Sequence, residues 1–295
     1  MTIRGWLVLD KPLHLSSAQA LYPLKSLLKG FKVGHAGTLD PLATGVLVIG
    51  LGDATKLMSY AVEGLKSYEF AVAWGQERDT HDAGGIVVES SPKRPLEAEI
   101  ALMLPHFFGE IQQLPPEYSA LKIQGKRACD LMRRGQEVRL EPRCVEIHDL
   151  QILSHTEAKT VFQVTCGPGT YVRSLARDFG RHLGCYGHVR SLRRTAVGSF
   201  GIEKAVNMEK ILALEQVDEI RQYLERFDAV LDDIPALTLD DSQISKLRQG
   251  LSLTIETPAV VMDGPVVCKD SCGITVALGV LENRVLKPKR NFTTT

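Results

Sequence analysis

Gly34-His35-Ala36-Gly37-Thr38-Leu39-Asp40-Pro41-Leu42-Ala43-Thr44-Gly45-Val46-Leu47 is the stretch on which the reading of this chain turns. Its glycines and proline predict an irregular loop over 33–44, and the apolar run after it predicts a strand over Val46 to Leu51. Pro41 biases Asp40 toward an extended backbone and fixes the local chain. The spacing is neither that of a phosphate-binding loop nor that of a dinucleotide fold. What the loop offers instead is one carboxylate, Asp40, and one imidazole, His35.

Upstream, Trp6 to Leu9 reads as a buried strand ending at Asp10-Lys11-Pro12. Ser16 or Ser17 can cap a helix running through Leu28 to a stop at Gly30, with Pro23 in its first turns or kinking it. Downstream, a helix is expected over Ala54 to Val62 and an alternating strand over Tyr68 to Trp74. Gly84-Gly85 is a turn, Ile86 to Val88 a short strand and Leu96 to Phe108 helical. Cys144 to Leu153 and Val161 to Cys166 read as paired strands. Thr170 is expected to cap an amphipathic helix over Tyr171 to Leu183, and helices to fill Met208 to Leu231. After a boundary near Asp232 to Leu237 the texture changes to short strand-like runs, Ala259 to Met262 among them, suggesting a small β-barrel-like appendage.

The 295 residues suffice for one large domain and a small one, and 44% apolar with 24% charged residues is a globular composition. No apolar run is long enough for a membrane-spanning helix, and the start lacks a signal-peptide layout, so a cytoplasmic location is expected. Six scattered cysteines without a CxxC pair favour reduced, mostly buried thiols and no metal site. Net charge is zero but unevenly spread. Six basic residues lie between Lys122 and Arg139 and six arginines between Arg173 and Arg194, whereas ten carboxylates lie between Glu209 and Asp241. One basic face on a neutral molecule suits contact with nucleic-acid phosphates.

The string around Asp40 closely resembles the signature of the TruB family, the tRNA pseudouridine-55 synthases. Further resemblances are Asp53-Ala54-Thr55-Lys56, Lys66-Ser67-Tyr68, Asp79-Thr80-His81-Asp82 and Pro115 to Lys122. Gly169 to Leu175 and His188 to Thr195 complete the set. Arg78 stands where the family commonly has Thr, and Cys129 and Met132 where its insertion has an aromatic and a small residue.

The resemblance implies an α+β protein with a pseudouridine synthase catalytic fold over 1–232. Its mixed, mainly antiparallel sheet would be flanked by helices and loops, with an RNA-binding insertion at about 115–142. A small C-terminal β-rich, PUA-like domain would cover 236–292. It implies isomerisation of a uridine in the tRNA T-arm by a monomer. Detaching a base at N1 and rejoining it at C5 conserves atoms and oxidation level, so no cofactor is called for. Asp40 would be the nucleophile, at ribose or base. Tyr68 would take the C5 proton, and Arg173 would pair with Asp40, since a guanidinium favours the charged form of a carboxylate in an apolar pocket. Tyr171 would line the pocket and Leu192 pack under the base. His35 would serve the flipped RNA and Asp82 contact it, with Lys11 and Lys56 as phosphate or structural contacts. A guide-RNA-dependent synthase acting on ribosomal RNA, with longer and more basic ends, is a second reading. A tRNA-binding folding helper is a third.

Overall fold

A computed structural model describes residues 3–255 and 263–293. Nine strands set the main frame: β1 (Gly5–Lys11), β2 (Val33–Ala36), β3 (Ala43–Leu51), β4 (Lys66–Trp74), β5 (Gly109–Gln113), β6 (Arg143–His155), β7 (Lys159–Cys166), β8 (Gly187–Val197) and β9 (Val206–Asn207). They lie in the order β9-β1-β3-β8-β4-β7-β6-β5, with β2 added beside β3. Only β9 on β1 and β8 on β3 run parallel; the other neighbours are antiparallel. The class is α+β with a mixed, mainly antiparallel sheet.

β1 and β3 are apolar on both faces because both are covered, which is why their sequences run apolar without alternation. One core holds Leu9, Leu47, Phe70, Phe162 and the helical Phe179; Phe70 stacks on Phe162 at 5.3 Å between ring centroids. The helix Val172–His182 lies on this face and buries Leu175, Ala176 and Phe179. The other core joins Trp6, Val48 and Phe200 to Phe227 and Phe292. The parallel contact of β8 with β3 needs a glycine: a Cβ on Gly45 (φ +96°) would lie 2.1 Å from the Arg194 carbonyl oxygen.

Four local expectations are corrected. The helix expected from Ser16 to Leu28 is two, Ser17–Ala20 and Tyr22–Leu27, because Pro23 opens a new first turn rather than extending the old one. Ser16 is the cap, in a reciprocal pair with Gln19. Val33–Ala36 is a strand and not loop; its backbone finds partners along β3. Thr170 does not cap the helix that follows: its hydroxyl donates to the Gly167 carbonyl at 3.0 Å. Met208 to Leu231 is one short helix, Met208–Leu212, then 3-10 turns and a two-residue strand; the Glu219 carboxylate accepts from the Glu215 and Gln216 N–H groups and starts a new turn.

The C-terminal part is a curled five-stranded sheet, in the order Ala236–Thr238, Gly264–Lys269, Thr275–Glu282, Val285–Asn291, Leu253–Thr254. The strand expected over Ala259 to Met262 falls outside the described residues. This sheet is bolted to the larger part. The Asp53 carboxylate accepts from the Thr293 backbone N–H at 2.7 Å and hydroxyl at 2.6 Å, and pairs with Lys56 at 2.8 Å. The Phe227 ring, whose backbone carbonyl accepts from Trp6 Nε1 within the larger part, packs on Phe292 at 5.2 Å between centroids. Burial works to raise the Asp53 carboxyl, but the hydrogen bonds from Lys56 and Thr293 prevail and hold it below its ordinary value of 3.8. A depressed folded value contributes stability that is complete above 3.8 and is lost as pH falls further through the folded value. Asp53→Ala is therefore expected to cost about 1–3 kcal/mol. Thermal melting should show the loss at neutral pH and a smaller difference from the unmodified chain at low pH.

Candidate active site

The loop that carries Asp40 is fastened from beneath. Ser17 Oγ accepts from the Leu39 N–H at 2.8 Å and donates to the Leu39 carbonyl at 3.0 Å. That clamp buries the Leu39 side chain and leaves Asp40 facing outward, 38% exposed. The Pro41 carbonyl accepts from His14 N–H at 2.8 Å. Arg194 reaches up from β8, its Nη2 donating to the Gly37 carbonyl at 3.0 Å and its Nε to the Val46 carbonyl at 2.7 Å. Ser17→Ala would orphan a buried N–H and free the loop. About 1–3 kcal/mol of stability and roughly a tenfold fall in kcat with little change in KM are expected, read by melting and steady-state kinetics.

Arg173 comes from the first turn of the helix Val172–His182. That turn is set by Gln113, which is fully buried; its side chain accepts from the Tyr171 N–H at 2.8 Å and donates to the Tyr171 carbonyl at 3.2 Å. The guanidinium is 5% exposed and held on two carbonyls at 3.0 Å, Thr80 and Tyr118. Its Nε lies 2.8 Å from Asp40 Oδ2 and 3.9 Å from Asp82 Oδ2. The Nε–H bond does not point along either line, so Nε has no aligned acceptor, and the Asp40–Arg173 contact is an ion pair rather than a linear hydrogen bond. Asp82 is itself fixed, accepting from Thr80 Oγ1 at 2.6 Å and the Gly84 N–H at 2.9 Å. Asp178, the other acid near Arg173 in sequence, pairs with Arg177 instead.

A cavity of about 530 Å³ opens beside Asp40, walled by Tyr68, Tyr171, Arg173, Leu192 and Arg194 and roofed by Ala120 to Lys122 of the insertion. Tyr68 on β4 pairs across strands with Arg194 on β8, and Leu192 sits opposite both Phe70 and Ala43. Burial pushes the Tyr68 phenol up; the Arg194 guanidinium beside it acts in the opposite sense. His35 on β2 is held neutral, by burial first and then by Arg194 and Lys25. Its Nδ1 is buried without a partner.

Lys11 and Lys56 are committed to the protein's own groups. Lys11 is fully buried, donates to the Pro12 and Leu15 carbonyls at 2.9 and 2.7 Å, and is pushed down to about 8 by burial. A sealed ammonium cannot reach a phosphate from outside, so Lys11 braces the loop. Lys56 holds Asp53 and donates to the Asn291 carbonyl at 2.7 Å. Arg78, a departure from the family pattern, donates to the Gly85 carbonyl at 2.7 Å and ties the turn after Asp82. Three cysteines are buried, and burial pushes Cys166 and Cys185 to about 11 and Cys268 to about 12.

Arg194 and Gln113 were not expected as site residues. Strand alternation could have found Arg194, since it shares a face of β8 with Leu192. Gln113 carries no local signal.

A family model described as TruB family pseudouridylate synthase, N-terminal domain, matches residues 25–172. A second, the tRNA pseudouridylate synthase B C-terminal domain, matches 173–233. The chain belongs to the TruB family. Proteins named tRNA pseudouridine synthase B from Agrobacterium fabrum and Sinorhizobium medicae are 46% and 44% identical to it. These alignments cover 98% of this chain in both cases and 95% and 96% of those proteins. Among solved structures, a Cbf5-Nop10-Gar1 complex aligns over 98% of this chain and 85% of that one, at a TM-score of 0.74 and 23% identity, which speaks to the fold alone. The family's matched region therefore contains all of Asp40, Tyr68, Asp82, Tyr171, Arg173 and Leu192.

Proposed function

We propose that this chain isomerises a uridine in the T-arm of tRNA, position 55, to pseudouridine. The observation that carries the reading is the Asp40–Arg173 ion pair at the edge of a cavity walled by two tyrosines and a leucine, in a chain of the TruB family. The target base leaves its stack and enters between Tyr68, Tyr171 and Leu192, at a cost of a few kcal/mol in lost stacking. His35, neutral and planar, stacks on the bases that remain. Asp40 attacks the ribose C1′ or the base, and the N1–C1′ bond breaks. The base turns, C5 bonds to C1′ as the bond to Asp40 breaks and its carboxylate is regenerated, the C5 proton leaves and N1 gains a proton, so the product is an isomer of the substrate. Tyr68 receives the C5 proton as its phenolate, the scarcer form because burial pushes the phenol up, with Arg194 beside it acting in the opposite sense.

Arg173 keeps a fixed positive charge against Asp40 throughout, because its other N–H groups are already held by Thr80 and Tyr118. The C-terminal sheet, 236–292, acts as a PUA-like RNA-binding appendage, and the insertion at about 115–142 grips the RNA over the cavity. The protein works as a monomer in the cytoplasm. Offering the protein a T-arm hairpin and a ribosomal RNA fragment, each without guide RNA, tests the substrate choice. Conversion of the hairpin alone supports the reading; conversion of the ribosomal fragment alone overturns it.

A further inference from the structure

Three arginines line the cavity: Arg143, Arg173 and Arg194. Arg173 has Asp40, and Arg194, 1% exposed, spends its donors on the Val46 and Gly37 carbonyls. Arg143 differs. It is the first residue of β6, where the insertion rejoins the sheet, and it lines the same cavity. Among the described residues no carboxylate pairs with it. Its guanidinium lies over the Tyr171 ring, 4.8 Å from the centroid, and Nη2 donates to the Gly169 carbonyl. Its Nε is buried and has no partner. Lys122, exposed and likewise without a carboxylate partner among the described residues, lines the cavity from the insertion.

We propose that Arg143, with Lys122 of the same cavity lining, forms a clamp for a backbone phosphate of the flipped nucleotide at the mouth of the cavity. The inference rests on the RNA-substrate reading above and adds a binding site to it. Three features point to an anion. An arginine fork uses few of its donors here, its charge is uncompensated, and the aromatic face behind it holds the guanidinium plane still. A phosphodiester is the anion that a flipped nucleotide must bring to this position, because it flanks the base on both sides. Engaging it would press the guanidinium onto Tyr171 and fix the ring that walls the base.

The test is the salt dependence of tRNA binding. Each phosphate contact contributes about 0.7–0.9 to the slope of log affinity against log salt. Arg143→Gln, which keeps a donor for Gly169 but not the charge, is expected to lower the slope by about that amount and weaken binding roughly tenfold. Arg143→Lys is expected to restore the slope. A slope unchanged in Arg143→Gln would overturn the clamp and leave Arg143 as mere backing for Tyr171.

A second measurement changes the RNA instead of the salt. Single methylphosphonate linkages, which are uncharged, are placed on either side of the target uridine. One of them is expected to weaken binding by the unmodified protein roughly tenfold and to leave Arg143→Gln little affected. Equal sensitivity of both proteins at every linkage would overturn the proposal. The two readings fail separately: pseudouridine formation with an unchanged slope removes only the clamp, and a lowered slope without pseudouridine removes only the isomerase.

Discussion

Asp40→Asn is expected to lower the rate of pseudouridine formation by a factor on the order of 10⁴ or more while leaving tRNA affinity within a few-fold. The substitution changes almost no volume and keeps the loop's fastening, because Ser17, His14 and Arg194 hold backbone atoms on either side of Asp40 and not its carboxylate. What it removes is the nucleophilic oxygen and the charge that faces Arg173. Single-turnover kinetics and filter binding on the same preparation separate the two effects. Residual catalysis within tenfold of the unmodified protein would show that some other group bears the reaction. Binding lost together with catalysis would mean that Asp40 serves mainly to hold RNA. A tRNA-folding role independent of chemistry is also readable in this variant, as refolding of tRNA by a protein that no longer modifies it.

Arg173→Met carries the second-largest expected effect. It takes a cation from between two carboxylates, Asp40 at 2.8 Å and Asp82 at 3.9 Å, and leaves the Thr80 and Tyr118 carbonyls without their donor. A fall of roughly 10²–10³ in kcat is expected, the scale seen when one preorganised electrostatic group is removed. KM should change less. The stability cost is about 1–3 kcal/mol, below that of breaking a fully buried pair, since Asp40 keeps 38% of its side chain in solvent. Arg173→Lys should recover part of kcat through its charge. It cannot recover all of it, because one ammonium on a flexible stem cannot serve two carbonyls and a carboxylate in a fixed plane. Equal kcat in the Met and Lys variants would mean that Arg173 acts by shape and not by charge.

The sequence was most legible where chemistry and local chain constraint coincide. Asp40 stands out because glycines and Pro41 fix the backbone around one acid. The buried strands β1 and β3 were legible as apolar runs, and β4 as an alternating one. Two strands were hidden for physical reasons. β2 contains two polar or flexible positions in four, and only its pairing with β3 makes it a strand. β8 is dense in arginine, which disguises an interior strand. It is tolerated there because Arg194 spends its donors on the Gly37 and Val46 carbonyls and Arg193 spends its own on Asp10.

The helix Val172–His182 is legible within one residue at each end, but its cap is not, for a similar reason. Thr170 has the right residue type for a cap, but the Tyr171 N–H is served by Gln113, 58 positions away in the chain. Long-range satisfaction of this kind leaves no local pattern. Lys11, expected as a phosphate or structural contact, is fully buried by the fold, with its ammonium on the nearby Pro12 and Leu15 carbonyls.

Asp40 is proposed to react with one uridine of a folded tRNA. Position-resolved mapping of pseudouridine tests it most directly, on an unmodified tRNA transcript incubated with the purified protein and nothing else, alongside Asp40→Ala. Near-complete conversion at a single T-arm uridine is expected with the unmodified protein, and none with Asp40→Ala. No conversion of any uridine, or conversion that survives Asp40→Ala, would contradict it.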